Sequence, residues 1–260
     1  MVGETEDASM SVDLSALENM AAEAVRLFWR SREGARRKQS DSGRLDQGER
    51  AGVTAGKNMD GFSMLMQDLV RRHGSPSARV EERGRLQVLP GYFRPTKLWD
   101  MLVFDGDELL VALEFKSHVG PSFGNNFNNR AEEAIGTACD LWTAYREGAL
   151  GEQPPPFVGW LMLVEDCAAS QRPVRDKCPH FPVDRAFREA SYISRYDVLC
   201  RRLITEKLYS AACLMTSSRA AAECGTYGSL SSMTALPGFA AQLAGHLLAR
   251  RAHRATTSSP

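Results

Sequence analysis

The stretch FVGWLMLVE, residues 157–165, is the feature that most restricts the fold of this 260-residue chain. It is almost uninterrupted in apolar residues but is far shorter than a membrane span, and such runs are typical of strands buried on both faces. A strand of this kind is covered by helices above and below its sheet. The segment therefore predicts a layered α/β fold.

The order of the remaining elements agrees with that prediction. Apolar residues at helical spacing predict helices over 12–29, over 58–73 and from residue 131 onward. Further helices are expected over 191–215 and 235–250. Strand signals are found in RLQVLP (85–90), WDMLVF (99–104) and LLVALEFKS (109–117). This order predicts a single α/β domain over 1–260, in which helices flank a mixed β-sheet and N-terminal and C-terminal helices are added.

Two segments lack such periodicity. Residues 31–57 are rich in Gly, Ser and Arg, which predicts a long, mobile basic loop. Residues 251–260 predict a frayed tail.

The charge of the chain is balanced overall but uneven along its length. There are 32 basic and 32 acidic residues, yet seven Lys or Arg and only two Glu lie between residues 71 and 97. Local positive patches suit a protein that binds phosphates. Ordinary solvated surface charge is the alternative interpretation.

The ends and the cysteines indicate the compartment. The N-terminus, MVGETEDASM, is acidic and polar, which does not fit a signal peptide, and no apolar run predicts a membrane segment. None of the six cysteines forms a CxxC pair. We therefore expect a cytoplasmic protein with reduced thiols and without a disulfide framework or a zinc site.

The chemistry-bearing pattern is Asp100 followed, after thirteen residues, by Glu114-Phe115-Lys116. Because side chains alternate along a strand, Glu114 and Lys116 point to one face of the predicted strand and Phe115 to the other. Burying an acid and a lysine in an apolar strand is costly unless they have a partner or a ligand.

The predicted hairpin also makes a test of register possible. A plain two-residue turn at 105–106 pairs Asp100 with Val111, on the wrong face. A three-residue loop at 106–108, or a β-bulge, pairs Asp100 with Glu114, so that both carboxylates converge. We predict one of these two arrangements.

Two converging carboxylates form a hard oxygen site that suits Mg²⁺. A nearby lysine can orient or help deprotonate a metal-bound water and can offset charge at the phosphate, which fits metal-assisted hydrolysis of a phosphodiester. The alternative is a salt-bridged surface hairpin.

At these residues the chain resembles a known family. The Asp…Glu-x-Lys hairpin resembles the PD-(D/E)xK nuclease core, although Trp99 precedes Asp100 and the nearest proline is Pro95. Longer strings resemble the XhoI family of type II restriction endonucleases over about residues 12–250; they are KNMDGF (57–62), LPGYFRPTKLWD (89–100), LEFKSHVGPSFGNNFNNRAEEAIGTA (113–138), FVGWLMLVEDC (157–167) and PHFPV (179–183).

This resemblance implies a homodimeric, Mg²⁺-dependent endonuclease that cuts both strands of double-stranded DNA at a short palindrome, CTCGAG in the family, and leaves 5′-phosphate ends. It also implies a companion DNA methyltransferase in the host.

The resemblance also implies roles for individual residues. Asp100 and Glu114 are expected to be metal ligands, with the backbone carbonyl of Phe115 as a third, and Lys116 is expected to position the attacking water. Asp60 or Glu81 is a possible extra acid near the metal. For Asp60, compensation of the helix dipole is an equal alternative.

DNA contacts are expected from two places. A predicted loop, 121–130, follows the catalytic strand and offers amides and a guanidinium that suit base edges, namely Asn125, Asn126, Asn128 and Arg130. Asn129 is interpreted as the N-cap of the next helix. Basic residues flanking the hairpin are candidates for phosphate contacts, namely Arg85, Arg94 and Lys97. His118 either contacts phosphate or is an incidental loop residue.

Two other functions remain open at this level. The chain could be a DNA-binding module whose hairpin acids are structural and do not support hydrolysis. It could also be a structure-specific repair nuclease on the same scaffold.

Overall fold

The structure, a computed structural model, describes residues 11–41, 56–82 and 84–257. Its α-helices are α1 (Leu17–Asp41), α2 (Asp60–His73), α3 (Phe123–Arg146), α4 (Ala168–Gln171), α5 (Tyr192–Thr205), α6 (Ala221–Cys224) and α7 (Leu236–Thr257). Its strands are β1 (Ala78–Glu81), β2 (Val88–Pro90), β3 (Thr96–Leu98), β4 (Met101–Asp105), β5 (Glu108–His118), β6 (Phe157–Glu165) and β7 (Ala211–Ser217). Among the described residues, no helix is both long and apolar enough to cross a membrane.

Five strands form one mixed sheet in the order β1-β4-β5-β6-β7. The β1–β4 and β4–β5 pairs are antiparallel, whereas β5–β6 and β6–β7 are parallel. Every residue of β6 is buried, and β6 lies between β5 and β7. The prediction that 157–165 is a strand buried on both faces is therefore confirmed.

Helices cover both faces of this sheet. On one face, side chains such as Leu161 and Leu163 pack with α1, α2 and α7; on the other face, Trp160 and Met162 pack with α3 and α5. The alternation of these β6 side chains between two cores is the reason that the strand carries no polar face. The predicted fold, a mixed sheet flanked by helices, is confirmed.

The β4–β5 hairpin has the register on which the predicted site depends. Its turn has only two residues, 106–107, because Asp105 pairs with Glu108. The register then shifts between Val103 and Phe104, so that Met101 lies opposite Leu113. Asp100 is thereby aligned with Glu114. The prediction of a loop or a bulge is confirmed in its second form, a β-bulge.

The small second sheet was not expected. Residues 84–87 form a 3₁₀ turn, and β2 pairs with β3 in a separate antiparallel ribbon. The prediction that 85–90 is a strand is therefore confirmed only for 88–90, whose partner is 96–98, and is wrong for 85–87. We call residues 84–98 the ribbon.

Two helix boundaries differ from the prediction because apolar residues were assigned to the wrong element. The helix α3 begins at Phe123, not at residue 131, because Phe123 and Phe127 are both buried and extend the apolar stripe toward the N-terminus. The predicted loop 121–130 is therefore helical over most of its length. Asn129 lies inside the helix and is not an N-cap.

At the C-terminal side, the prediction of helix over 191–215 is wrong beyond Thr205. Residues 211–217 form β7, whose seven residues are all buried beside β6. Periodicity alone does not distinguish a short, fully apolar strand from a buried helical segment.

The two segments predicted to be mobile are partly helical. The helix α1 continues to Asp41, where a loop was predicted from residue 31, and residues 42–55 lie outside the described residues. The helix α7 continues to Thr257, and Arg254 forms ion pairs with Asp105 and Glu108 of the hairpin turn. The prediction that residues 251–260 form a frayed tail is therefore wrong for residues 251–257.

Candidate active site

The two carboxylates of the predicted site converge on one side of the sheet. Asp100 lies just before β4, and its Oδ2 accepts a hydrogen bond of 2.8 Å from the backbone N–H of Phe115. Glu114 projects from β5 and is completely buried, whereas the side chain of Asp100 is 40% exposed. One acid is therefore enclosed and the other opens toward solvent.

Lys116 connects these acids. Its ammonium nitrogen lies 2.5 Å from Glu114 Oε2 and 3.1 Å from Asp100 Oδ2. A third carboxylate, Glu133 of α3, contributes Oε1 at 3.3 Å. Burial opposes the charged form of Lys116, but these three carboxylates, led by Glu114, outweigh it and raise the pKa of the lysine. Lys116 is thus held as a cation.

A second lysine reaches the same acid from the ribbon. The ammonium of Lys97, in β3, lies 2.5 Å from Glu114 Oε1 and 5.3 Å from the centre of the Trp99 ring. Lys97 was predicted to contact phosphate. The structure instead places it on Glu114, which therefore lies between two ammonium groups.

The charge of the buried Glu114 carboxylate depends on the cations beside it. Burial, together with the nearby charge of Asp100, raises the pKa of Glu114 more than its two lysine neighbours lower it. Its Oε2 lies 2.5 Å from the ammonium nitrogen of Lys116, and its Oε1 lies 2.5 Å from that of Lys97. Both oxygens of this buried carboxylate are therefore paired with cations, as a buried charge requires.

The oxygen atoms at this site suit a hard cation that takes only a few of its ligands from the protein. Among the described residues, no group of three or more His, Cys, Asp and Glu converges as a complete metal cage. Two carboxylates that both contact one ammonium, with a neighbouring backbone carbonyl, instead suit Mg²⁺, which keeps several water ligands. The residues able to hold it are Asp100, Glu114 and Phe115.

Glu133 is a site residue that the sequence did not identify. It belongs to α3, where the guanidinium of Arg130 also contacts it. Burial opposes its ionisation, but Lys116 and Arg130 outweigh that effect and lower the pKa of Glu133. Only the packing of α3 over β5 brings this acid to Lys116, and nothing in the local sequence marks it.

Neither candidate for an extra acid forms an ion pair with the cluster. Asp60 is exposed in the first turn of α2. Glu81 pairs with Leu102, which pairs with Ala112, so Glu81 lies on the same face of the sheet as Glu114. Of the two, Glu81 is the one whose strand directs it toward the acids.

The predicted DNA-contacting side chains lie on two elements that flank the acids. Asn125 and Asn128 are exposed on α3, whereas Asn126 and Arg130 are partly exposed. On the ribbon, Arg85 is exposed.

Arg94 is held by a residue that sequence reasoning missed. Its Nε donates to Asp140 Oδ2 at 2.7 Å, and Asp140 also accepts the backbone N–H groups of Tyr92 and Phe93 at 2.8 Å each. The side chain of Arg94 remains 40% exposed. Asp140 therefore fixes the turn of the ribbon on α3.

His118 is structural. It is buried, with Nδ1 2.6 Å from the hydroxyl of Tyr196 and Nε2 3.2 Å from the backbone oxygen of Ser122. Burial lowers its pKa to about 4. These contacts occupy both ring nitrogens of His118 and tie the end of β5 to α5 and to the start of α3.

Comparisons with known proteins agree with this geometry. The family model described as restriction endonuclease XhoI matches residues 38–229. The Type II restriction enzyme XhoI of Xanthomonas vasicola is 59% identical over 75% of this chain and 78% of its own length. AbrI of Azospirillum brasilense, also named a Type II restriction enzyme, is 58% identical over 69% of this chain and 80% of its own length.

A more distant relative is also named a Type II restriction enzyme. The Type II restriction enzyme BstVI of Geobacillus stearothermophilus is 45% identical over 70% of this chain and 83% of its own length. No solved structure gives a significant match.

A mixed sheet flanked by helices, with acids and a lysine on its hairpin, is consistent with the nuclease core of a restriction endonuclease. The extent of the matches makes the assignment specific: this chain belongs to the XhoI restriction endonuclease family. It is therefore an enzyme of the Type II restriction endonuclease class, which acts on DNA. This class differs from both alternatives that the sequence left open.

Proposed function

We propose that this restriction endonuclease uses Mg²⁺ bound by Asp100, Glu114 and the backbone carbonyl of Phe115. The observation that carries the proposal is the convergence of the buried Glu114 and the more open Asp100 on the single ammonium of Lys116. When bound, Mg²⁺ supplies Lewis acidity at the scissile phosphate and makes a water molecule easier to deprotonate. The chain's own groups orient the reactants around it.

Lys116 is proposed to act as a cationic donor to the attacking water. Its carboxylate neighbours raise its pKa, so the ammonium keeps its proton at neutral pH. A fixed ammonium can hold the attacking water by hydrogen bonding and offset negative charge that develops on the phosphate oxygens. Glu133 holds this ammonium from α3 and is thus a positioning residue.

The substrate that we propose is a short palindrome in double-stranded DNA, CTCGAG as in the family, cut in both strands to leave 5′-phosphate ends. Each chain carries one Asp100, Glu114 and Lys116 cluster. Two clusters related by a two-fold axis match the symmetry of a palindrome, so we propose a homodimer.

Side chains on the two flanking elements are proposed to bind the DNA. Asn125, Asn126, Asn128 and Arg130 on α3 carry the donors and acceptors that read base edges. Arg85 and Arg94 on the ribbon are suited to phosphates. The ammonium of Lys97 forms an ion pair with Glu114, so a contact between Lys97 and a phosphate requires that this ion pair break.

The remaining proposals concern the extra acid and the cellular setting. Glu81 is proposed as the extra acid near the metal ahead of Asp60, because Glu81 shares the face of Glu114. The enzyme is proposed to work in the cytoplasm beside a DNA methyltransferase that protects the host's own sites.

Cleavage of a sequenced plasmid in Mg²⁺, with mapping of the fragment ends, tests the function. We expect discrete fragments with 5′-phosphate ends at CTCGAG. For Asp100→Asn, Glu114→Gln and Lys116→Met we expect cleavage rates at least about a hundredfold lower, while binding to the site in Ca²⁺ stays measurable.

Glu23→Gln is the matched control. Glu23 is a surface carboxylate of α1, on the opposite side of the sheet, and pairs only with Arg26 among the described residues. This variant should cut like the wild type. If the three site variants also cut at the wild-type rate, the assignment of the site is wrong.

A further inference from the structure

The ribbon exposes an unusual amount of apolar surface beside the active site. Five of its large apolar side chains are at least one third exposed, namely Leu86, Val88, Tyr92, Phe93 and Leu98. Phe93 is 74% exposed and Tyr92 is 53% exposed. An exposed patch of this kind, concentrated in one short segment, is typical of a binding surface.

The two aromatic residues are held outward by a rigid turn. Asp140, itself only 3% exposed, accepts the backbone N–H groups of both Tyr92 and Phe93. A Cβ atom on Gly91 would lie 2.7 Å from Asp140 Oδ2, so the approach requires glycine. The two rings contact each other edge to face, with centroids 5.0 Å apart. This presentation is preorganised, which lowers the entropic cost of binding a partner.

The position of the turn identifies the partner. Lys97, in the same ribbon, contacts Glu114, and the four Cα–Cα steps from Phe93 to Lys97 span at most about 14 Å. DNA whose phosphate lies at the acids therefore passes within reach of the aromatic pair.

The charge of the ribbon also favours DNA. Residues 84–98 contain Arg85, Arg94 and Lys97 and no Asp or Glu. This balance complements a polyanion. In a symmetric dimer with ribbon facing ribbon, the same surface would meet its own positive charge.

We propose that Tyr92 and Phe93 form an apolar wedge that seats against the bases of bound DNA next to the scissile phosphate. Aromatic side chains stack on base faces or insert between base steps, and both contacts remove their apolar surface from water. Asp140 holds the wedge in place. This inference rests on the proposed function only in that the acids must bind the phosphate that is cut.

Binding and fluorescence of duplexes test the wedge. Duplexes that contain the mapped cleavage site carry 2-aminopurine at successive positions within and beside it, and the intact enzyme is added in Ca²⁺. We expect the wild type to change the fluorescence at one or two adjacent positions. Phe93→Ala should abolish that change and weaken binding at least tenfold, and Tyr92→Ala should weaken binding severalfold.

Met64→Ala is the control, because Met64 is also exposed but lies on α2, on the other side of the sheet. It should bind as tightly as the wild type. Far-UV circular dichroism and the melting temperature show whether each variant is folded, and neither ring contributes to the buried core. Phe93→Leu, which keeps apolar bulk, should bind more tightly than Phe93→Ala.

Two results would overturn the wedge while the enzyme still cuts. One is a Phe93→Ala variant with unchanged affinity and an unchanged fluorescence signal. The other is sedimentation of Phe93→Ala as a monomer where the wild type is a dimer, which would assign the surface to a second copy. Absence of any cleavage by the wild type would instead overturn the proposed function.

Discussion

At the scale of single residues, the site is organised by the ammonium of Lys116. It contacts carboxylates from the segment before β4, from β5 and from α3, namely Asp100, Glu114 and Glu133. Because these acids come from different elements, loss of one leaves the others to hold the cation. The buried Glu114 depends more strongly on its neighbours. Burial raises its pKa, so its charged form requires a cation nearby.

His118 allows a test of how burial affects stability. Burial lowers its pKa from 6.5 to about 4, so between these values the unfolded chain binds a proton that the folded chain does not. The proton equilibrium of His118 therefore does not reduce the free energy of unfolding above pH 6.5, and it lowers that free energy progressively as the pH decreases toward 4. His118→Gln removes this titration and should lose about 2 kcal/mol less stability than the wild type between pH 7.5 and pH 5.

Urea unfolding at both pH values measures the difference. The comparison uses only the change with pH, so an overall loss of stability in the variant does not affect it. Equal pH dependence in the two proteins would show that His118 binds its proton in the folded state as readily as in the unfolded state.

At the scale of elements, close packing decides which substitutions the fold tolerates. The helix α2 crosses α1 at Gly61, where a Cβ atom would lie 2.6 Å from the Cα atom of Ala24. Backbone atoms at that distance cannot be relieved by a rotamer change. Only a shift of one helix makes room, and such a shift disturbs the core beneath.

Gly61→Ala should therefore destabilise the protein by about 1–3 kcal/mol, even though alanine favours helices. Gly245→Ala is the matched control, because nothing lies within 4 Å of the Cβ position at Gly245 in α7. That change should stabilise the fold by about 0.4–1 kcal/mol through the unfolded state. Denaturant unfolding measures the change in the free energy of unfolding for both variants. An increase for Gly61→Ala would contradict the close packing at this crossing.

At the scale of the whole molecule, the proposed homodimer makes cleavage of both strands depend on two copies of one site. Heterodimers that pair a wild-type chain with a Glu114→Gln chain, purified by two different tags, contain one working cluster. They should convert supercoiled plasmid to a nicked circle and stop there, whereas wild-type dimers give linear DNA. Agarose gel electrophoresis distinguishes the products. Linear DNA formed by such heterodimers at the wild-type rate would refute the proposal that each cluster cuts one strand.

Local sequence determined a large part of this protein. The apolar run 157–165 is sufficient to predict β6, and the alternation of Glu114 and Lys116 puts both on one face of β5. The need to align Asp100 with Glu114 predicts the bulge that the hairpin contains. These features follow from periods of a few residues, and they can therefore be read without knowledge of distant segments.

The tertiary structure alone decided the rest. It placed Glu133 on Lys116 and Lys97 on Glu114, it paired β2 with β3 outside the main sheet, and it made 211–217 a strand. Each of these depends on how separate elements pack, and contact energies between distant segments outweigh local propensity. The sequence thus identified the acids and lysine of the candidate site, whereas the packing of α3 and the ribbon determined what surrounds them.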